Sequence, residues 1–214
     1  MTLAELEAAH KTQPDDPDLA ARLAEEYLRR SKPTEVRKLV EAVLTRHKGH
    51  PGAALVKARL LQRDKDGAGA RAVLEEAVQA NPDNPRLLTA LARLYTQTNE
   101  RDRAIQTWES LRKLGPPETE VLETLEKLYA AANRPLPHAE VLAELAARQP
   151  DNLAVRLQLA RLHQANGSPE KTEYWAREAL FVDVGNSDAR ELLLTALRAQ
   201  KKDAEAARID GWYK

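Results

Sequence analysis

The chain has no cysteine and a single phenylalanine, Phe181. Without cysteine there is no disulfide framework, no thiol nucleophile and no cysteine-bound metal. Aromatic residues make up 4% of the 214 residues, so any core must be built from aliphatic and small side chains. Eight glycines leave little material for a phosphate cradle. Neither a Gly-x-Ser-x-Gly elbow nor a His-Glu-x-x-His pair occurs. Net charge is also lacking: 33 basic residues balance 33 acidic ones, without the basic excess that marks nucleic-acid binders. No apolar run approaches the length of a membrane span. The segment Met1–Glu7 carries two acids and no basic stretch, unlike a secretory leader. These absences predict a protein without catalytic residues, cofactor, metal, nucleic-acid partner or membrane insertion, with a cytoplasmic location as the default.

What is present is a period. Pro14, Pro82, Pro116 and Pro150 fall on one 34-residue grid, with Lys48 and Val184 in its two remaining slots. Pro17, Pro51 and Pro85 sit three places after a grid point. Such a fixed spacing marks stacked helical repeats, in which each repeat buries its apolar face on its neighbours. Counting from Pro17 gives full repeats at 17–50, 51–84, 85–118, 119–152 and 153–186. A half-repeat occupies 1–16 and a partial one 187–214.

Within 85–118 the apolar residues Leu87, Leu88, Leu91, Leu94 and Tyr95 recur at helical spacing, and so do Ala104, Ile105, Trp108 and Leu111. The polar stretch Thr96–Glu100 separates them. In 153–186 the matching gap contains Asn166, Gly167 and Pro169. Gly or Asn ends a helix in the left-handed conformation, and Pro opens the next. Each repeat therefore reads as two antiparallel helices. Columns align across repeats. The seventh place holds Leu23, Lys57, Leu91, Leu125, Leu159 and Leu193. The eighth holds Ala24, Ala58, Ala92, Glu126, Ala160 and Leu194, and the twentieth Val36, Ala70, Ala104, His138, Thr172 and Ala206. Small residues at places eight and twenty let helix backbones approach. Large ones at place eleven, such as Tyr27, Tyr95, Tyr129 and His163, fill the space beside them.

These columns resemble the tetratricopeptide repeat (TPR) family over essentially the whole chain. The resemblance implies an all-α superhelix, a TPR solenoid of about six helix-turn-helix units. His138 and Lys57 depart from it. Pro135 and Pro137 crowd the turn beside His138, and the second helix there is expected to start at or near Pro137. Thr2-Leu3-Ala4-Glu5 reads as a capping box opening a ten-residue helix. The chain thus begins in mid-repeat, which favours a segment of a larger protein.

The histidines offer no metal site. His47 and His50 read as exposed loop residues without a third ligand, and His163 as a packing residue. Acidic pairs such as Glu25-Glu26 and Glu75-Glu76 read as solvated.

In the family, first helices line a concave face that binds peptides or partner helices. At its ninth place this sequence carries Arg59, Arg93, Lys127 and Arg161, with Arg22, Arg63 and Arg86 in neighbouring columns. Arginine forks suit carboxylates. The Lys and Asn set with which some relatives grip a C-terminal carboxylate is missing: Ala21, Glu25 and Val56 hold those places in the first pair of repeats. Three readings stand. The first is an interaction scaffold for a peptide or helix, with anionic preference. The second is the interaction segment of a larger, bacterial enzyme or secretion-linked protein. The third is self-association through uncapped ends, using Ala206, Ile209 and Trp212.

Overall fold

The computed structural model describes residues 1–212. These form thirteen α-helices arranged in two compact units, one of residues 1–116 and one that begins at Pro117. The first unit contains α1 (Leu3–Thr12), α2 (Pro17–Arg29), α3 (Pro33–Arg46), α4 (Pro51–Arg63), α5 (Gly67–Ala80), α6 (Pro85–Gln97) and α7 (Arg101–Lys113). The second contains α8 (Thr119–Ala131), α9 (Pro135–Arg148), α10 (Leu153–Ala165), α11 (Pro169–Val182), α12 (Ser187–Ala199) and α13 (Asp203–Trp212). Inside each unit, a first helix packs on the second helix of its own repeat and on the next first helix, as α4 does on α5 and α6.

The period is written into the helix ends. Ser31, Lys65, Asn99, Asn133, Gly167 and Lys201 all have positive φ, and each lies 34 residues after the one before. At every one, two backbone bonds close the preceding helix. In the third repeat Glu100 N–H reaches the Tyr95 carbonyl at 2.9 Å, and Asn99 N–H reaches that of Thr96 at 3.3 Å. The same pair recurs from Lys32 and Ser31 back to Tyr27 and Leu28, and from Lys202 and Lys201 back to Leu197 and Arg198. This is the Schellman closure, which gives orphan carbonyls a donor. Four of its left-handed positions are Ser, Lys or Asn before the fifth becomes Gly, so their Cβ atoms carry a strain that glycine avoids. Lys65→Gly is therefore expected to stabilise the protein by about 0.5–1 kcal/mol, the relief of strain exceeding the added unfolded-state entropy. Urea unfolding midpoints of K65G and wild type measure it; an unchanged or lower midpoint contradicts it.

First-helix starts repeat as well. Asp16, Asn84, Asn152 and Asn186 accept backbone N–H bonds three residues on, and Pro follows at N1 in α2 and α6. His50 takes the same role before α4: its Nδ1 accepts from Ala53 N–H at 3.3 Å, and its Nε2 stands 3.2 Å from Asp18. It is thus a half-buried cap and not the exposed loop residue expected. The capping box at Thr2 forms in full. The helix expected to begin at or near Pro137 begins at Pro135, which stands at N1. Pro137 is tolerated at N3 because first-turn N–H groups have no intrahelical acceptor to lose.

Between the helices the small columns meet. Ala24 and Val36, Ala58 and Ala70, and Ala92 and Ala104 are all buried. The Leu of place seven is buried in five repeats, at Leu23, Leu91, Leu125, Leu159 and Leu193. Each such side chain contributes roughly 1.5–3 kcal/mol. The fourth repeat departs at both contact places at once. Glu126 replaces the small residue of place eight and His138 that of place twenty, and the two meet: His138 Nε2–H donates to Glu126 Oε1 at 3.1 Å. Gln158 on α10 donates to the same oxygen at 2.6 Å. His138 is no isolated misfit but half of a paired replacement, which keeps the buried imidazole bonded to a half-buried carboxylate.

Candidate functional site

Seven cations were expected on the first-helix face. The structure divides them. Arg22 lies on α2, Arg59 and Arg63 on α4, and Arg86 and Arg93 on α6, all exposed and all in the first unit. Lys127 on α8 and Arg161 on α10 belong to the second. Several are engaged. Arg59 donates to Glu25 at 2.8 Å, one repeat back on the same column. Arg63 donates to the Leu28 carbonyl at 2.6 Å, near the end of α2. Arg161 pairs with Asp188. The Arg59–Glu25 pair is exposed, and such pairs are worth about 0–1 kcal/mol. Glu25 therefore holds Arg59 only weakly.

The acidic pairs are more committed than solvated residues would be. Glu25 holds Arg59, and Glu26 holds Arg30 at 2.9 Å. Glu75 accepts from the Tyr95 hydroxyl at 2.6 Å. Tyr27 makes the equivalent bond to Glu7 at 2.8 Å, so the tyrosine of place eleven ties a first helix to the second helix before it. Desolvation, followed by the bond to Glu75, pushes the Tyr95 hydroxyl up to about 12. Arg103 completes this cluster, stacking on the Tyr95 ring and reaching Glu100 at 3.2 Å. A second hub forms at Glu173 on α11. Burial would raise its carboxyl, but bonds from Lys202, Arg177 and Gln200, each at 2.8 Å, hold it down at about 2. His163 is buried as expected, and desolvation, with Lys171 nearby, lowers its imidazole. These groups join helix to helix.

The terminal patch is rearranged. Ala206 and Ile209 lie in a core with Leu192, Leu193 and Leu197, sealed within their own unit. An end-to-end contact cannot use them as exposed anchors. Trp212 alone of the three is exposed, with Arg208 over its ring.

One residue absent from the expected set is Arg156. It is buried at place four, where the first four full repeats carry the buried Ala20, Ala54, Leu88 and Leu122. The signal was visible in the column itself, which is apolar through four repeats and turns to arginine at Arg156 and Arg190. Its guanidinium donates to the carbonyls of Gln149 and Asn152 at 3.1 Å each and of Ala146 at 3.4 Å.

Among the described residues no helix is long and apolar enough to cross a membrane, and no group of three or more His, Asp or Glu is placed to hold a metal. Residues 61–128 match the tetratricopeptide repeat family. No curated protein matches the chain. Several solved structures share its fold at low identity. A chain of the Naa15/Naa10 complex bound to HypK-THB superposes with a TM-score of 0.70 at 17% identity, covering 90% of this chain and 30% of that one. The present chain thus spans under a third of that relative's length. A tetratricopeptide repeat protein from Parabacteroides merdae gives 0.55 at 15% identity, covering 90% and 77% of the two chains. YrrB, described as a TPR protein with an unusual peptide-binding site, gives 0.51 at 13%, covering 79% and 88%. Residues 61–128 thus carry the tetratricopeptide repeat, and the recurring caps, turn closures and small-residue contacts give the same helix-turn-helix architecture to the repeats on either side.

Proposed function

We propose that the chain is a non-catalytic interaction scaffold. In this reading the face formed by α2, α4 and α6 binds an acidic peptide or helix. The observation that carries it is the presence of five exposed arginines, Arg22, Arg59, Arg63, Arg86 and Arg93, on the three first helices of one compact unit. Guanidinium groups grip carboxylates in a bidentate way that lysine does not reproduce. Protein association among its structural neighbours supports the same use, since one is a complex with HypK-THB and another carries a peptide-binding site.

The test compares wild type with the R59A/R86A/R93A variant, using fluorescein-labelled acidic, neutral and basic peptides in anisotropy titrations. Arg63 is left in place because it holds the Leu28 carbonyl. Three exposed contacts at about 0.2–1 kcal/mol each predict a loss of about tenfold in affinity for the acidic peptides. Salt dependence should flatten in parallel. Equal affinity of the two proteins for every peptide refutes the reading.

A further inference from the structure

The seventh column is apolar and buried in every repeat except the second, where Lys57 stands half-buried. A cleft of about 230 Å³ opens beside it, between α3, α4 and α5. Its deeper surface is Gly49, Ala54, Leu44, Val73 and Lys57, and its exposed rim is Glu41, Thr45, Lys48 and Glu76. The walls are built rather than accidental. Asn81 Nδ2 donates to the Gly49 carbonyl at 2.9 Å and to that of Ala77 at 3.0 Å, fastening the 47–50 turn to the end of α5. Gly49 has φ +71°, and a Cβ there would lie 2.6 Å from Ala80. Glycine therefore lets the turn approach α5 this closely. Four charged side chains line the cleft: Lys48, Lys57, Glu41 and Glu76. Among the described residues none of the four forms an ion pair or a side-chain hydrogen bond within the protein.

We infer that this cleft binds an amino-acid-sized zwitterion. The volume is below the roughly 300–1,000 Å³ of drug-sized pockets, which sets the ligand's size. The charges set its class. A simple anion would meet the two glutamates, and a simple cation the two lysines. A ligand bearing both an ammonium and a carboxylate satisfies all four groups, while its short aliphatic part covers Leu44, Ala54 and Val73. Leaving a half-buried ammonium at a leucine position costs stability that a leucine would restore, and a ligand-binding role accounts for that cost. The site is separate from peptide binding on the α2, α4 and α6 face.

Three probes on one carbon skeleton test it: L-leucine, 4-methylpentanoate, which lacks the amine, and 3-methylbutylamine, which lacks the carboxylate. Each is titrated into the ¹⁵N-labelled full chain, following the amides of Gly49, Ala54 and Lys57. Leucine should shift these amides saturably, with an apparent Kd at least about tenfold below either analogue, the value of one lost ion pair in a half-buried setting. Lys57→Leu should raise the melting temperature and abolish the shifts. Glu76→Gln, an exposed and conservative change that leaves the core intact, should weaken leucine binding about tenfold without moving the melting temperature. The inference fails if leucine leaves the cleft amides unmoved or if K57L binds as wild type. It also fails if 4-methylpentanoate binds as well as leucine, which would leave only a lysine-bound anion.

Discussion

Trp108→Ala is expected to destabilise the first unit by about 3–5 kcal/mol, the range for emptying a fully buried aromatic site. Trp108 is 1% exposed, so almost none of its contact area is solvent-backed. Its indole N–H donates to Thr96 Oγ1 at 3.1 Å, while the Thr96 hydroxyl donates onward to the Ala92 carbonyl at 2.8 Å. This relay ties α7 to the end of α6 through the small-residue column, so truncation removes packing and leaves a hydroxyl lone pair without its donor. Trp108→Phe retains most of the ring and should cost less than half as much. Trp212→Ala, at an exposed site, should stay within about 0.5 kcal/mol. Urea titrations of the three variants separate these outcomes. Because nearest-neighbour interfaces carry a repeat array, W108A should also broaden the transition as α6 and α7 uncouple from α2–α5. An equal shift for W108A and W212A would contradict the packing described.

Arg156→Ala and Arg156→Leu should both destabilise the second unit, by about 2–4 kcal/mol, although alanine and leucine are what this column carries in the first four full repeats. The reason is polar. Arg156 supplies donors to Ala146, Gln149 and Asn152, carbonyls at and after the C-terminal end of α9. Ala146 lies in the last turn of α9, where carbonyls lack intrahelical donors, and a buried acceptor left unpaired costs about 1–3 kcal/mol; Gln149 also accepts from Asn152 N–H at 3.0 Å. A cation at a helix C-terminus also complements the macrodipole. Leucine would fill the volume but supply no donor to the Ala146 and Asn152 carbonyls; Arg156→Lys should recover part of the loss. Thermal unfolding gives the magnitude, and amide exchange across 149–155 locates it. A neutral R156L would mean that the column needs only bulk there, and the three bonds would carry no net stability.

The helices were legible because their determinants are local. A cap, its N1 proline and the left-handed closure each involve residues within about five positions, and identical chemistry repeated at 34-residue spacing leaves few alternatives. Thus Asn84 with Pro85 opens α6, and Asn99 closes it. The TPR resemblance rested on these and on the small columns, and it gave the fold at once. His50 was misread because histidine is an unusual cap, although its place in the Asp16–Asn84–Asn152 column was available as a clue. The candidate face was only half legible. Column counting placed the arginines on first helices, but it could not show that Arg59 already holds Glu25 or that Arg63 caps α2.

By itself the sequence determined the repeat length, the helix order and the face each residue takes, since these follow from short-range hydrogen bonding and a 3.6-residue period. Only tertiary structure decided which charges are spent on one another. Tyr95 meets Glu75, Glu126 meets His138, and Glu173 gathers three donors, while Lys57 meets none. Pairing of this kind depends on ångström-scale distances between side chains on different helices, and those distances exist only once backbones have packed through their small residues. The same packing turned one lysine in a leucine column into the floor of a cleft.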